Sequence, residues 1–139
     1  MVKEIVKDLE VLHMKSSKAN PKSEETKSVI KDLIDTANEY KDRCVGSSAI
    51  QIGVPIRICV VFNGENFIPF INPIITKTYG DKYEAEESCM SLDGTRIVSR
   101  YERIEVIRQT KNGFVKERFR GYMAEILQHE IDHFNGKLI

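Results

Sequence analysis

Two periods of apolar residues divide this chain. After Ser23-Glu24-Glu25, the residues Val29, Ile30, Leu33, Ile34 and Ala37 recur at helical spacing. This predicts a helix capped by Ser23 and ending near Asp42, with the two glutamates at its positive end. From residue 56 the period changes. Ile56 to Phe62 and Phe67 to Ile75 are β-branched runs around Asn63-Gly-Glu-Asn66, which predicts a hairpin. Pro69 and Pro73 predict that the second run is irregular or at a sheet edge. Tyr79 to Glu87 alternates poorly. Arg103 to Thr110 and Phe114 to Arg120 flank Lys111-Asn-Gly113 and predict a cleaner second hairpin. Helical spacing returns after Gly121, with Met123, Ile126, Leu127, Ile131 and Phe134 as the apolar set. Residues 1 to 22 read as a short ordered start followed by a polar loop. The expected architecture is α+β: two or three small antiparallel sheets around a C-terminal helix, with a long N-terminal helix packed elsewhere on them.

The C-terminal helix carries His129-Glu130-Ile-Asp-His133. Two histidines four apart lie one turn apart on one helix face, offset by about 40°. Their rings can converge on one cation, and the intervening glutamate can act as a base on a water held there. Two of the chain's three histidines occupy these positions, which argues against a chance match. Only six residues follow His133, so a third ligand is expected from upstream. The candidates are His13, Cys44, Cys59, Cys89 or a carboxylate. His13 sits in a polar stretch and reads as exposed. Cys59 sits in an apolar strand and reads as a small buried hydrophobe. Cys89, in the polar segment Glu86 to Gly94, leads the set, because thiolate binds zinc or ferrous iron well. Gln51 follows a glycine-rich turn; by residue type alone it simply bonds its own loop.

Three segments in order carry a family resemblance: Val45-Gly-Ser-Ser-Ala-Ile-Gln51, Glu87-Ser-Cys-Met-Ser91 and Gln128-His-Glu-Ile-Asp-His-Phe-Asn-Gly136. From about Lys41 onward the chain resembles the peptide deformylases. The family commonly has Gly-Leu-Ala-Ala where this chain has Gly46-Ser47-Ser48-Ala49. It has glycine where Ser88 stands and leucine where Met90 stands. The resemblance implies metal ligands Cys89, His129 and His133, with Glu130 as general base. It implies an oxyanion site made by the Gln51 amide and the Met90 backbone N–H. It also implies Gly46 and Glu87 beside the substrate, and Arg96 as the arginine that pairs with Glu87 behind the ligands. The cofactor would be one divalent ion, Fe2+ natively, with Zn2+, Ni2+ or Co2+ able to replace it. The substrate would be the N-formyl-methionyl end of a nascent chain, met by a monomer in transient association with the ribosome. Three other readings compete: a deformylase-like paralogue of altered specificity, a metallopeptidase sharing His-Glu-x-x-His, and a metal-stabilised binding protein without chemistry. An upstream cysteine ligand speaks against the metallopeptidase.

Composition changes this picture little. A chain of 139 residues, 41% apolar and 30% charged, suits one domain over 1–139. Its 21 basic and 21 acidic side chains cancel, which gives no sign of a nucleic-acid or anionic-membrane partner. Three cysteines without a framework spacing fit a reducing cytoplasm. Neither a signal peptide nor a membrane-length apolar run is expected.

Overall fold

The computed structural model describes residues 1–138; Ile139, the last residue of the expected domain, lies outside the described residues. The elements run α1 (Leu9–Leu12), α2 (Glu24–Glu39), β1 (Gly46–Ser48), a 3-10 turn (Ala49–Ile52), β2 (Ile58–Phe62), β3 (Phe67–Cys89), β4 (Leu92–Thr110), β5 (Gly113–Arg120) and α3 (Gly121–Phe134). The strands form one five-stranded antiparallel sheet in the order β1-β2-β3-β4-β5, rather than two or three small sheets. Register shifts at Ile71/Ile74, Ile75/Lys77 and Tyr79/Lys82 let two very long strands bend. That is why Tyr79 to Glu87 reads poorly as a strand although it belongs to β3.

The sheet has a helix on each face of β2. Ile58 and Val60 pack with Val29, Leu33 and Ala37 of α2. Cys59 and Val61 pack with Ala124, Ile126, Leu127 and Phe134 of α3. A strand buried on both faces has no polar side to show, so Ile58 to Val61 is an unbroken apolar run. Ser23 caps α2 by accepting from the Thr26 N–H, as its position predicts.

The prolines of β3 sit inside the sheet order, not on its edge. Between residues 67 and 70, however, β3 pairs only with β2, because its ladder to β4 begins at Ile71. Pro69 therefore loses no bond there. Pro73 falls in the bulge between Ile71 and Ile74, beside Asn72 at φ 49°. The second hairpin forms as expected, with Thr110 opposite Gly113.

The C-terminal helix is pinned at its middle and just beyond its C-terminus. Gln128 holds β4 through its side-chain oxygen, which accepts from the Tyr101 N–H at 2.9 Å, and its amide, which donates to the Tyr101 carbonyl at 2.9 Å. Beyond the helix, Gly136 adopts φ 76° and lies so close to the His13 carbonyl that a Cβ would sit 2.3 Å from it. Exposed His13 closes this corner through Nδ1, 3.0 Å from the Gly136 carbonyl.

Candidate metal centre and cleft

Three distant segments meet on one side of α3. The hairpin joining β3 to β4 turns through Met90 and Ser91, with Cys89 opposite Leu92. Its tip lies against α3, bringing the Cys89 sulfur 3.6 Å from His133 Nε2, which is 3.2 Å from His129 Nε2. The three ligand atoms all lie within 4.8 Å of one another. Ligands at ordinary zinc–sulfur and zinc–nitrogen lengths in a tetrahedron stand about 3.4 to 3.6 Å apart. The donor set therefore fits one soft or borderline divalent ion, held by three side chains. His13 and Cys59 are not in this group. Cys59 is fully buried in the α3 core, as its surroundings in the sequence suggested.

The ion pairs behind these ligands are buried. His129 Nδ1 donates to Glu87 Oε1 at 2.8 Å, which leaves Nε2 as the lone-pair face toward the ligand cluster. The Glu87 carboxylate is forked by Arg100, with Nε at 2.9 Å and Nη2 at 2.6 Å, while Arg100 Nη1 reaches Asp132 at 2.7 Å. Arg100 thus forks Glu87 from the buried side. Arg96, expected in that role, is the register partner of Glu87 across the ladder and is solvent-exposed, whereas Arg100, two pleat repeats further along β4, is 4% exposed. Burial alone would raise the Glu87 pKa, but the bonds from Arg100 and His129 outweigh it and hold it at about 2. Burial works against a charged His129 too, yet its bonds to Cys89 and Glu87 carry it up to about 10. Burial takes His133 the other way, down to about 3, helped by the charge on His129. Without an ion, one imidazolium thus sits where the surrounding negative groups call for a cation.

Glu130 is buried on the same helix, and burial raises its pKa above the ordinary value. Ser48 Oγ lies 3.0 Å from Glu130 Oε1 and 2.9 Å from the Glu130 carbonyl oxygen. Gly46 is required by the same packing: a Cβ there would stand 2.7 Å from Ile126 Cγ2 and 2.9 Å from Glu130 Oε2. Gln51 is fixed at its oxygen, which accepts from the Ser48 N–H at 3.0 Å and lies 3.4 Å from the Ser47 hydroxyl. Its amide then points at the cleft, 3.1 Å from Cys89 Sγ and 3.2 Å from Ser91 Oγ. A cleft of about 300 Å³ opens between these groups, with Gly46, Met90, Glu125 and Ile126 on its walls.

Sequence reasoning missed Ser48, Arg100 and Asp132. Ser48 stood out only as a departure from the family pattern. Arg100 had a signal in the strand period: it is an even number of residues from Arg96 and so shares its face.

The sequence model of polypeptide deformylase matches residues 2–139. The chain belongs to that family. The match takes in the N-terminal region, which by its motifs resembles the family only loosely. A peptide deformylase of Clostridium beijerinckii is 46% identical over 140 residues, covering all of both chains. One from Dictyoglomus turgidum is 36% identical over 131 residues, 93% of this chain and 84% of its own. Among solved structures, the crystal structure of peptide deformylase from Thermotoga maritima superposes with a TM-score of 0.90 at 32% identity, covering 99% of this chain and 95% of that one. The Met-Ala-Ser-bound structure of the class I type b deformylase from Acinetobacter baumannii gives 0.90 at 26% identity, covering 99% and 97%. Membership over the full length makes this chain a deformylase by activity, a hydrolase with a single metal ion in a Cys/His/His site. The paralogue of altered specificity is not favoured by these matches.

Proposed function

We propose that residues 1–139 form one catalytic unit that hydrolyses the formamide on the N-terminal methionine of newly made polypeptides, with roles as follows. Cys89, His129 and His133 hold the ion, natively Fe2+, with Zn2+, Ni2+ or Co2+ as substitutes. When bound, the ion supplies Lewis acidity and makes water a nucleophile near neutral pH. Glu130 takes the proton from the attacking water and returns it to the departing methionine amine, releasing formate. Its raised pKa suits both tasks, because a weaker acid is a better base. The Gln51 amide and the Met90 N–H receive the oxygen on which negative charge develops. Arg100 and Glu87 set the orientation of the His129 ring.

The substrate backbone would lie along β1, which ends the strand order and borders the cleft; a peptide can add to such an edge. Gly46 leaves room for it, and Glu87 lines the cleft beside it. In this reading the enzyme works as a monomer in the cytoplasm and meets nascent chains in transient association with the ribosome. No helix among the described residues is long and apolar enough to cross a membrane.

The observation that carries the reading is the meeting of Cys89, His129 and His133 within reach of a buried glutamate and an oriented amide. The test is Glu130→Ala, assayed for formate release from formyl-methionyl peptides with metal content measured on the same sample. We expect full metal occupancy and a loss of turnover of about 10²- to 10⁴-fold. An active Glu130→Ala protein would refute this mechanism, and a parent protein that holds the metal but releases no formate would restore the binding-protein reading.

A further inference from the structure

The face of the sheet turned away from α3 is covered by α2 only where Ile58, Val60 and Ile71 pack against that helix. Beyond Ile71 it is open, and Ile74 is 60% exposed there. Strand alternation decides which side chains share this face. Ile104 and Val106 of β4 pack with α3, so Arg103, Glu105, Ile107 and Gln109 point the other way. Register then sets their neighbours. Glu105 stands between Lys77 of β3 and Arg118 of β5, and Ile107 stands between Ile74 and Lys116. Arg103 stands between Tyr79 and Arg120, and Gln109 is opposite Phe114. None of these residues lines the catalytic cleft.

The zero net charge of the chain hides how charge is distributed here. Lys77, Arg103, Lys116, Arg118 and Arg120 are all exposed, and Glu105 is the only carboxylate in their rows. Glu105 is 3% exposed and already engaged, by the Thr76 hydroxyl at 2.8 Å and by Arg118 at 3.8 Å. Among the described residues, the other four cations have no ion pair. Side chains two apart on a strand repeat at about 6.8 Å, so Lys116, Arg118 and Arg120 make a line of charge about 14 Å long. Aromatic rings stand among the cations. Phe114 is 72% exposed at the head of the line, and Arg118 lies over Tyr79, 5.5 Å from its ring centroid. Charges on β5 alone could serve to keep the last strand of the sheet from pairing with other chains. Lys77 and Arg103 lie on interior strands and have no such use.

We propose that this face binds RNA, with phosphates along the cations of β5 and bases stacked on Phe114 and Tyr79. Evenly spaced cations with flat rings beside them complement a charged strand that carries one base per repeat. An anionic membrane is the poorer match. Membrane-surface elements set an apolar face against a charged one, whereas here cations and rings are interleaved on one face. The choice of RNA among polynucleotides rests on the reading of the cleft, since a protein acting on nascent chains works beside the RNA that makes them. The charge and the rings of the face do not depend on that reading.

The test is fluorescence anisotropy of a labelled RNA stem-loop with metal-loaded, full-length protein, between about 50 and 200 mM salt. About four phosphate contacts predict a slope of log affinity against log salt of about −3 to −4. Lys116→Gln and Arg120→Gln should each make that slope shallower by about one unit. Phe114→Ala should weaken binding about tenfold without changing the slope, and Phe114→Tyr should restore it. Lys137→Gln removes an exposed cation beside Asp132 of α3, away from this face, and should leave RNA binding unchanged. Thermal melting and formate release from formyl-Met-Ala should match the parent in the Lys116, Arg120 and Phe114 variants. Absence of binding, or binding that does not weaken with salt, overturns the proposal. So does a loss in Lys137→Gln equal to that in Lys116→Gln. Tighter binding to phosphatidylglycerol vesicles than to the stem-loop would also overturn it and make the face a membrane contact. A protein that binds RNA in this way but releases no formate would leave the face standing and count against the cleft.

Discussion

At the scale of single residues, the segment from Gly46 to Ser48 matters through what its small side chains permit. Gly46 faces Ile126 and Glu130 at distances that no Cβ can share with them. Gly46→Ala should therefore push Glu130 aside, costing about 1 to 3 kcal/mol of stability from overpacking. Chemical denaturation would show that cost, and kcat should fall by more than the melting change explains. Ser48 acts in the opposite sense, adding a contact. Its hydroxyl holds the Glu130 carboxylate from one side, in a place fully closed to solvent. A hydrogen bond to a charged group contributes about 1.5 to 3 kcal/mol, part of which here fixes the rotamer of the base. Ser48→Ala should lower kcat about tenfold with KM nearly unchanged, measured by formate release. A rise in KM with kcat unchanged would show that the hydroxyl serves binding instead.

At the scale of elements, the long β3–β4 hairpin and α3 are joined by one buried ion cluster. Arg100 on β4 bridges Glu87 on β3 and Asp132 on α3, with Glu87 in turn holding the His129 ring. Removing one member of a buried pair leaves the other uncompensated, at a cost of about 3 to 5 kcal/mol. Arg100→Met should lower the melting temperature by roughly 10 °C and weaken metal retention against a chelator. The double variant Arg100→Met, Glu87→Gln should lose less than the two single losses added, because neither charge is then stranded. Little of this cluster was legible in the sequence. The helices were, because Val29 to Ala37 and Met123 to Phe134 bury one face each at a clear period. The hairpin arm was not, because most of β3 from Ile74 to Lys82 is exposed and is interrupted by bulges at Thr76 and Gly80-Asp81. Where burial resumes, at Ala85, Glu87 and Arg100, the inward residues are small or charged, so no apolar alternation marks them. The same loss of pattern hid Arg100, which lies on the face of Arg96 but deeper. The metal ligands were legible for a different reason: their spacing is set by coordination chemistry, which tolerates little variation.

For the whole molecule, one consequence is how the fold responds to acid. The net charge is zero, so no overall repulsion dominates near neutrality. The response then belongs to individual buried groups, and Glu87 is one of them. Its folded pKa of about 2 lies below the ordinary 4.5, so the ionised form stabilises the fold. That contribution is complete above the unfolded value and is lost as pH falls from about 4.5 toward 2, because there the unfolded chain binds the proton more tightly. The shift corresponds to something on the order of 3 kcal/mol at neutral pH. Glu130 works the other way: burial raises its pKa, so ionising it costs stability at neutral pH, and protonating it in acid restores some. The two groups should therefore separate under substitution. In urea titrations of metal-free protein, Glu87→Gln should be markedly less stable than the parent at pH 7, and the gap should narrow steadily below pH 4.5. Glu130→Gln should be as stable as the parent at pH 4 and more stable at pH 7. A constant gap for Glu87→Gln across that range would mean that shape alone, and not charge on Glu87, holds the hairpin arm to α3.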